Sequence, residues 1–207
     1  MRPFCITKVF ISFSILIFLH YNKGVRKTKN FGGFFMNKVL LVIDMQKDFI
    51  DGALGSPAAQ SIVNPTKDRI ADAIVNGEAI IYTKDTHDTN YMNTNEGKHL
   101  PVPHCIGGTD GWMIPSDIYV EGCKVICKPT FGFLNWASVE EIMNADEIEI
   151  VGLVTNICVM SNALMLKALR PEAKISVNLN CTAATSDEAF KASIEIFKSC
   201  QVELIGG

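Results

Sequence analysis

The chain has 207 residues, 48% hydrophobic and 20% charged, which suits one globular domain with a buried core plus a short extension. Residues 1–35 hold six bases (Arg2, Lys8, Lys23, Arg26, Lys27 and Lys29) and no acid, leaving 13 bases against 22 acids in residues 36–207, a formal charge of −9. An acidic body excludes nucleic acid as a partner, because phosphate binding needs a basic face.

The N-terminal segment reads separately from the rest. Val9 to Leu19 (VFISFSILIFL) is an apolar run of signal-peptide length that follows Lys8, and it is too short to span a bilayer comfortably. No small-x-small cleavage site follows it, and an uncleaved anchor is the alternative. Met36 is followed at once by a buried-strand pattern, NKVLLVIDMQKDF, and Gly32-Gly33 can be encoded by GGAGGN, a ribosome-binding sequence. The native start is therefore expected at Met36, with residues 1–35 as an N-terminal extension and residues 36–207 as the domain.

Seven cysteines (5, 105, 123, 127, 158, 181 and 200) form an odd, scattered set, which reads as reduced thiols in a cytoplasmic protein. Cys123 and Cys127 are expected to share one face of a strand without the geometry of a metal hairpin. No membrane partner is expected.

From Met36 onward, strands are predicted at Val39–Ile43, Ala79–Thr83, Lys124–Cys127, Glu147–Val151, Lys174–Val177 and Val202–Ile205. Each is a continuous aliphatic run rather than an alternating one, which suits strands buried on both faces. Helices are predicted near 60–75, 136–143, 158–169 and 186–199, the third ending before Pro171. This alternation implies an α/β domain, a doubly wound and mostly parallel sheet with helices on both faces. The stretch from Lys84 to about Tyr119 is long for a connection in a compact domain, and such loops are usually functional. Ligands of open α/β sheets bind beyond the carboxyl ends of the strands, and the informative residues fall there.

Asp44 follows the first strand directly, where burial would raise a carboxylate toward a useful general base; a turn acid or helix cap is the alternative. Lys128 ends another strand, and beside Asp44 it can stabilise a thiolate or oxyanion; otherwise it is a snorkelling surface lysine. Cys158 lies within VGLVTNICVMSNALMLKAL, read as strand, tight turn and a helix beginning near Cys158. A helix N-terminus favours thiolate, and the flanking amides can act as oxyanion donors; a small core residue is the alternative. Asp85, His87, Glu96 and His104 place two imidazoles and two carboxylates in the long loop. That donor set suits a divalent metal of catalytic type, zinc first, with manganese or iron also fitting, and His99 is a rival ligand.

Five segments, IDMQKDF (43–49), KDTH (84–87), PVPHC (101–105), CKPTFGF (127–133) and GLVTNICV (152–159), resemble the isochorismatase-like cysteine hydrolases, and within them the nicotinamidases. The resemblance runs in order over nearly all of residues 38–206. It implies a six-stranded parallel sheet with its site at the carboxyl edge. It further implies Asp44, Lys128 and Cys158 as catalytic residues, and Asp85, His87, Glu96 and His104 as metal ligands. A cis peptide is implied at Leu153–Val154, with the amides of Val154 and Cys158 as the oxyanion hole. Phe49 matches an aromatic wall against a planar ring. The implied activity is hydrolysis of a small amide, nicotinamide to nicotinate and ammonia, through a thioester. The implied metal orients the ring, and the family often forms homo-oligomers.

One departure bears on the substrate. Many nicotinamidases carry a tryptophan just before the segment that here reads LPVPHC, where this chain has Leu100-Pro101. The second ring wall then comes from another residue, or the substrate is a carbamoyl or ureido compound. Hydrolysis of isochorismate fits less well, because those relatives lack the nucleophilic cysteine. A non-catalytic binding protein of the same fold would be expected to have lost part of the triad.

Overall fold

The computed structural model describes residues 28, 29 and 35–207. The apolar run at 9–19 and the Gly32-Gly33 segment lie outside the described residues. Two short strands, β1 (Thr28–Lys29) and β2 (Phe35–Met36), pair antiparallel.

The main sheet has six strands: β3 (Lys38–Ile43), β4 (Ala79–Asp85), β5 (Lys124–Lys128), β6 (Glu147–Leu153), β7 (Lys174–Ala183) and β8 (Glu203–Ile205). They run in the order β5-β4-β3-β6-β7-β8, and every pairing is parallel. The continuous apolar pattern of β3 has its physical reason here. Val39, Leu41 and Ile43 pack into one core layer with Ile150, Trp136 and Phe197, while Leu40 and Val42 pack into the other with Ile70 and Tyr82. Burying each such side chain contributes about 1.5–3 kcal/mol.

The helices that cover the sheet are α1 (Lys47–Ile50), α2 (Pro57–Ser61), α3 (Val63–Asn76), α4 (Asn95–His99), α5 (Glu140–Met143), α6 (Met160–Leu169) and α7 (Asp187–Ser199). Arg69 on α3 reaches Glu78 at 2.5 Å and Glu149 at 2.9 Å, tying that helix to the sheet. Gly77 closes α3 in the left-handed conformation, with its amide on the last-turn carbonyls. Among the described residues, no helix is long and apolar enough to cross a membrane.

Three expectations need correction. The strand predicted at Lys174–Val177 continues to Ala183, through a register shift opposite Ile150 and Gly152. Cys123 precedes β5 and is buried, whereas Cys127 is exposed, so the two do not share a face. The helix expected from Cys158 begins at Met160, because Thr155–Val159 forms a single wide π turn first.

The chain runs from β3 outward to β5 and then crosses back to β6 on the other side of β3. This reversal is a topological switch point, where the connections diverge and open a crevice at the carboxyl ends. Asp44, Asp85, Lys128 and the turn that carries Cys158 all leave the sheet at that edge.

Candidate active site

Asp44 sits in the left-handed region at φ 46, a position that costs a non-glycine residue about 1 kcal/mol or more. Next to it, Gly152 has φ 111, and a Cβ there would collide with the Ile43 carbonyl oxygen. The backbone ends of β3 and β6 therefore approach as closely as glycine allows.

Lys128 and Asp44 are both 0% exposed, and Lys128 Nζ lies 2.6 Å from Asp44 Oδ2. The same ammonium donates to the Thr130 carbonyl at 3.1 Å and stands 3.6 Å from Cys158 Sγ and from Asp85 Oδ1. The Thr83 hydroxyl donates to Asp44 Oδ1 at 2.6 Å. Burial lifts the Asp44 carboxyl above the usual range, opposed by the charge of Lys128. Burial would lower the Lys128 ammonium, but Asp44, Cys158 and Asp85 outweigh that and hold it charged. The Cys158 thiol is pushed up by burial and by the nearby negative charge of Asp44. At rest the thiol is neutral, beside a carboxylate that can take its proton and an ammonium that can hold the resulting thiolate.

The turn bearing Cys158 follows a cis Leu153–Val154 peptide. Its Val154 carbonyl accepts from the amides of Ile157 and Val159. Thr155 bonds Thr182 on β7 at 2.8 Å, and Asn156 exchanges two hydrogen bonds with Thr185.

A second cluster lies beside the first. One ligand atom from each of Asp85, His87, Glu96 and His104 falls within 4.8 Å of the others. His87 Nε2 is 3.1 Å from Asp85 Oδ2 and 3.5 Å from Glu96 Oε1. His104 Nε2 lies 3.7 Å from Asp85 Oδ2. The other His104 nitrogen, Nδ1, stands 2.8 Å from the Val102 carbonyl, so it carries the proton and leaves the Nε2 lone pair facing the cluster. Buried Glu96 Oε1 has no hydrogen-bond donor among the described residues. Asp85 is held well below the usual carboxylate range: burial would raise it, but the adjacent His104 and His87 imidazoles and the Lys128 ammonium prevail. His99 is exposed, with Nδ1 2.8 Å from the Asn95 carbonyl, and stays outside the cluster. Phe49 places its ring 5.5 Å from the His104 ring. Of the tryptophans, Trp112 lies under the Lys84 ammonium and Trp136 in the core.

Several residues that build the site carry no local sequence signal. Gln46 clamps the Asp85 peptide, donating to its carbonyl at 2.9 Å and accepting its amide at 2.7 Å. Asp48 accepts the Cys105 amide at 2.7 Å, fixing the backbone just after His104. Tyr91 sets its ring tilted against the His87 imidazole and edge-on to that of His104, and its hydroxyl donates to the Leu100 carbonyl. Period-2 alternation along β4 does put Thr83 on the face of Asp85, so that residue was readable.

The isochorismatase-domain family model matches residues 38–206. The chain belongs to the isochorismatase family. A Mycobacterium tuberculosis nicotinamidase/pyrazinamidase is 24% identical over 185 residues, covering 81% of this chain and 98% of that protein. A nicotinamidase from Saccharomyces cerevisiae is 26% identical over 200 residues, covering 73% of this chain and 90% of the relative. The fold of this family member also matches the pyrazinamidase of Pyrococcus horikoshii solved in complex with zinc. That match has a TM-score of 0.71 at 23% identity, covering 83% of this chain and 99% of that one.

Thr83 stabilises the ionised form of Asp44. Thr83→Val therefore raises the Asp44 pKa, and any activity that needs the carboxylate loses its acid limb at a higher pH. The profile of kcat/KM against pH reads this directly; an unmoved acid limb would exclude Asp44 as the titrating base.

Proposed function

We propose that this chain is a cysteine-dependent amidohydrolase that converts nicotinamide to nicotinate and ammonia. The observation that carries the reading is the buried contact of Cys158, Lys128 and Asp44 beside the Asp85, His87, Glu96 and His104 cluster. The two nicotinamidase relatives and the five matching segments support the substrate.

Asp44 accepts the Cys158 proton, and the Lys128 ammonium stabilises the thiolate that results. The thiolate attacks the amide carbonyl carbon, and the negative oxygen rests on the amides of Val154 and Cys158. Asp44 returns the proton to the departing ammonia as the tetrahedral species collapses to a thioester. Water then attacks the thioester with Asp44 as base, releasing nicotinate and restoring the thiol. Phe49 supplies one face for the planar ring.

The second cluster fits a divalent metal. Asp44 and Asp85 both approach the Lys128 ammonium, and Glu96 adds a third carboxylate beside the imidazoles, a surplus of acidic groups that a dication would offset. The unpartnered Glu96 oxygen and the His104 Nε2 lone pair point the same way. Asp85, His87, Glu96 and His104 would hold the ion, and it would supply an electrophilic anchor for the ring nitrogen.

Ammonia release from nicotinamide by the metal-replete protein tests the function. Turnover is expected, and Cys158→Ala should lower it by at least about 1,000-fold. A folded protein with a reactive Cys158 but no release from nicotinamide would overturn the substrate and turn the search to carbamoyl or ureido amides. For the metal, Glu96→Gln is expected to lose zinc on dialysis where the wild type keeps about one ion per chain, read by elemental analysis. Equal zinc content in both proteins would remove Glu96 from the ligand set.

A further inference from the structure

We propose that Asn162 is a positioning residue that sets the distance between the Cys158 thiol and Lys128, an inference that rests on the nucleophile assigned above.

Lys128 and Cys158 lie on β5 and beyond β6, and two strands, β4 and β3, stand between these in the sheet. Sheet register therefore does not bring the two side chains together; the loops beyond the strand ends do. Asn162, in the first turn of α6, is the side chain that bridges those loops. Its amide nitrogen donates to the Cys158 carbonyl at 2.8 Å and to the Phe131 carbonyl at 3.1 Å. Its oxygen accepts the Phe133 amide at 3.0 Å and the Trp136 indole N–H at 3.1 Å. Two donated and two accepted bonds exhaust what an asparagine side chain can make.

The far end of this bridge reaches the ammonium. Lys128 Nζ donates to Thr130, the residue before Phe131, so one short path runs from Nζ through the Thr130–Phe131 backbone and Asn162 to the Cys158 carbonyl. The 3.6 Å contact between Nζ and Sγ closes the ring. Asparagine in a helix is ordinarily exposed or bonded to its own turn, and its helix propensity is poor. Asn162 is 0% exposed and binds a separate segment, which suits a role beyond forming the helix. Removing it frees the Cys158 turn from the Lys128 loop, and a misplacement near 1 Å costs on the order of 100-fold in rate.

The test compares Asn162→Ala and Asn162→Asp with Ile70→Ala, a core truncation in the opposite layer that controls for lost stability. Both Asn162 variants are expected to lose roughly 30–100-fold in kcat on nicotinamide with KM within about threefold. The pH midpoint for alkylation of Cys158 by iodoacetamide, followed by peptide mass spectrometry, should move up in Asn162→Ala, because the thiolate leaves the lysine's charge. Asn162→Ala is neutral, so that shift reports position alone. Ile70→Ala should lower Tm and leave both readouts in place. Wild-type kcat and alkylation midpoint in the Asn162 variants, or equal losses in Ile70→Ala, would overturn the proposal. If the wild type does not turn over nicotinamide, the substrate reading falls and the alkylation midpoint alone decides the role of Asn162. Should one Asn162 variant fail to fold, the other carries the comparison.

Discussion

The buried ion pair between Lys128 and Asp44 is the constraint on which the rest of the site depends. Both groups are fully buried at 2.6 Å, and removing two such charges from water costs several kcal/mol per ion. Geometry has to recover that cost. Thr83 bonds one Asp44 oxygen, Lys128 takes the other, and the remaining reach of the ammonium goes to Thr130, Asp85 and Cys158. A stable fold does not need such a pair, because well-packed apolar residues of similar volume are often as good or better. The use proposed for it is chemical: a carboxylate that burial makes more basic, held beside a thiol whose anion the same ammonium can accept.

Asp85 joins this pair to the neighbouring cluster. One of its oxygens faces Lys128 and the other faces the two imidazoles, so the thiol site and the proposed metal site share one carboxylate. Gln46 fixes the backbone of that residue from the end of β3, which makes the first loop after the sheet a brace for both halves. In the proposed function the metal cluster would anchor the ring nitrogen and Cys158 would attack the carboxamide, with Asp85 between the two.

Much of this was legible in the residues. The six apolar runs gave the sheet strands, because segments buried on two faces have no other way to satisfy their side chains. The polar half of β7, with Asn178, Asn180 and Thr182, lay beyond the predicted end of the strand; pairing with β6 and β8 carries the strand through it. The segment Thr155–Val159 was read as a tight turn leading into a helix near Cys158, and the structure makes all of it one π turn. Asp44, Lys128 and Cys158 were individually ambiguous, and the order of five motifs singled them out. Gln46, Asp48 and Asn162 went unseen for a common reason. Their work is to bind backbone groups distant in the chain, which leaves no periodic trace in sequence.

The account stands or falls on a covalent bond at Cys158. Acid-quenched intact-protein mass spectrometry during turnover of nicotinamide tests it most directly. The account predicts a transient adduct with the mass of a nicotinoyl group, mapped to the peptide carrying Cys158 and absent from Cys158→Ala. Turnover with no adduct at any quench time, and full activity retained in Cys158→Ala, would contradict it.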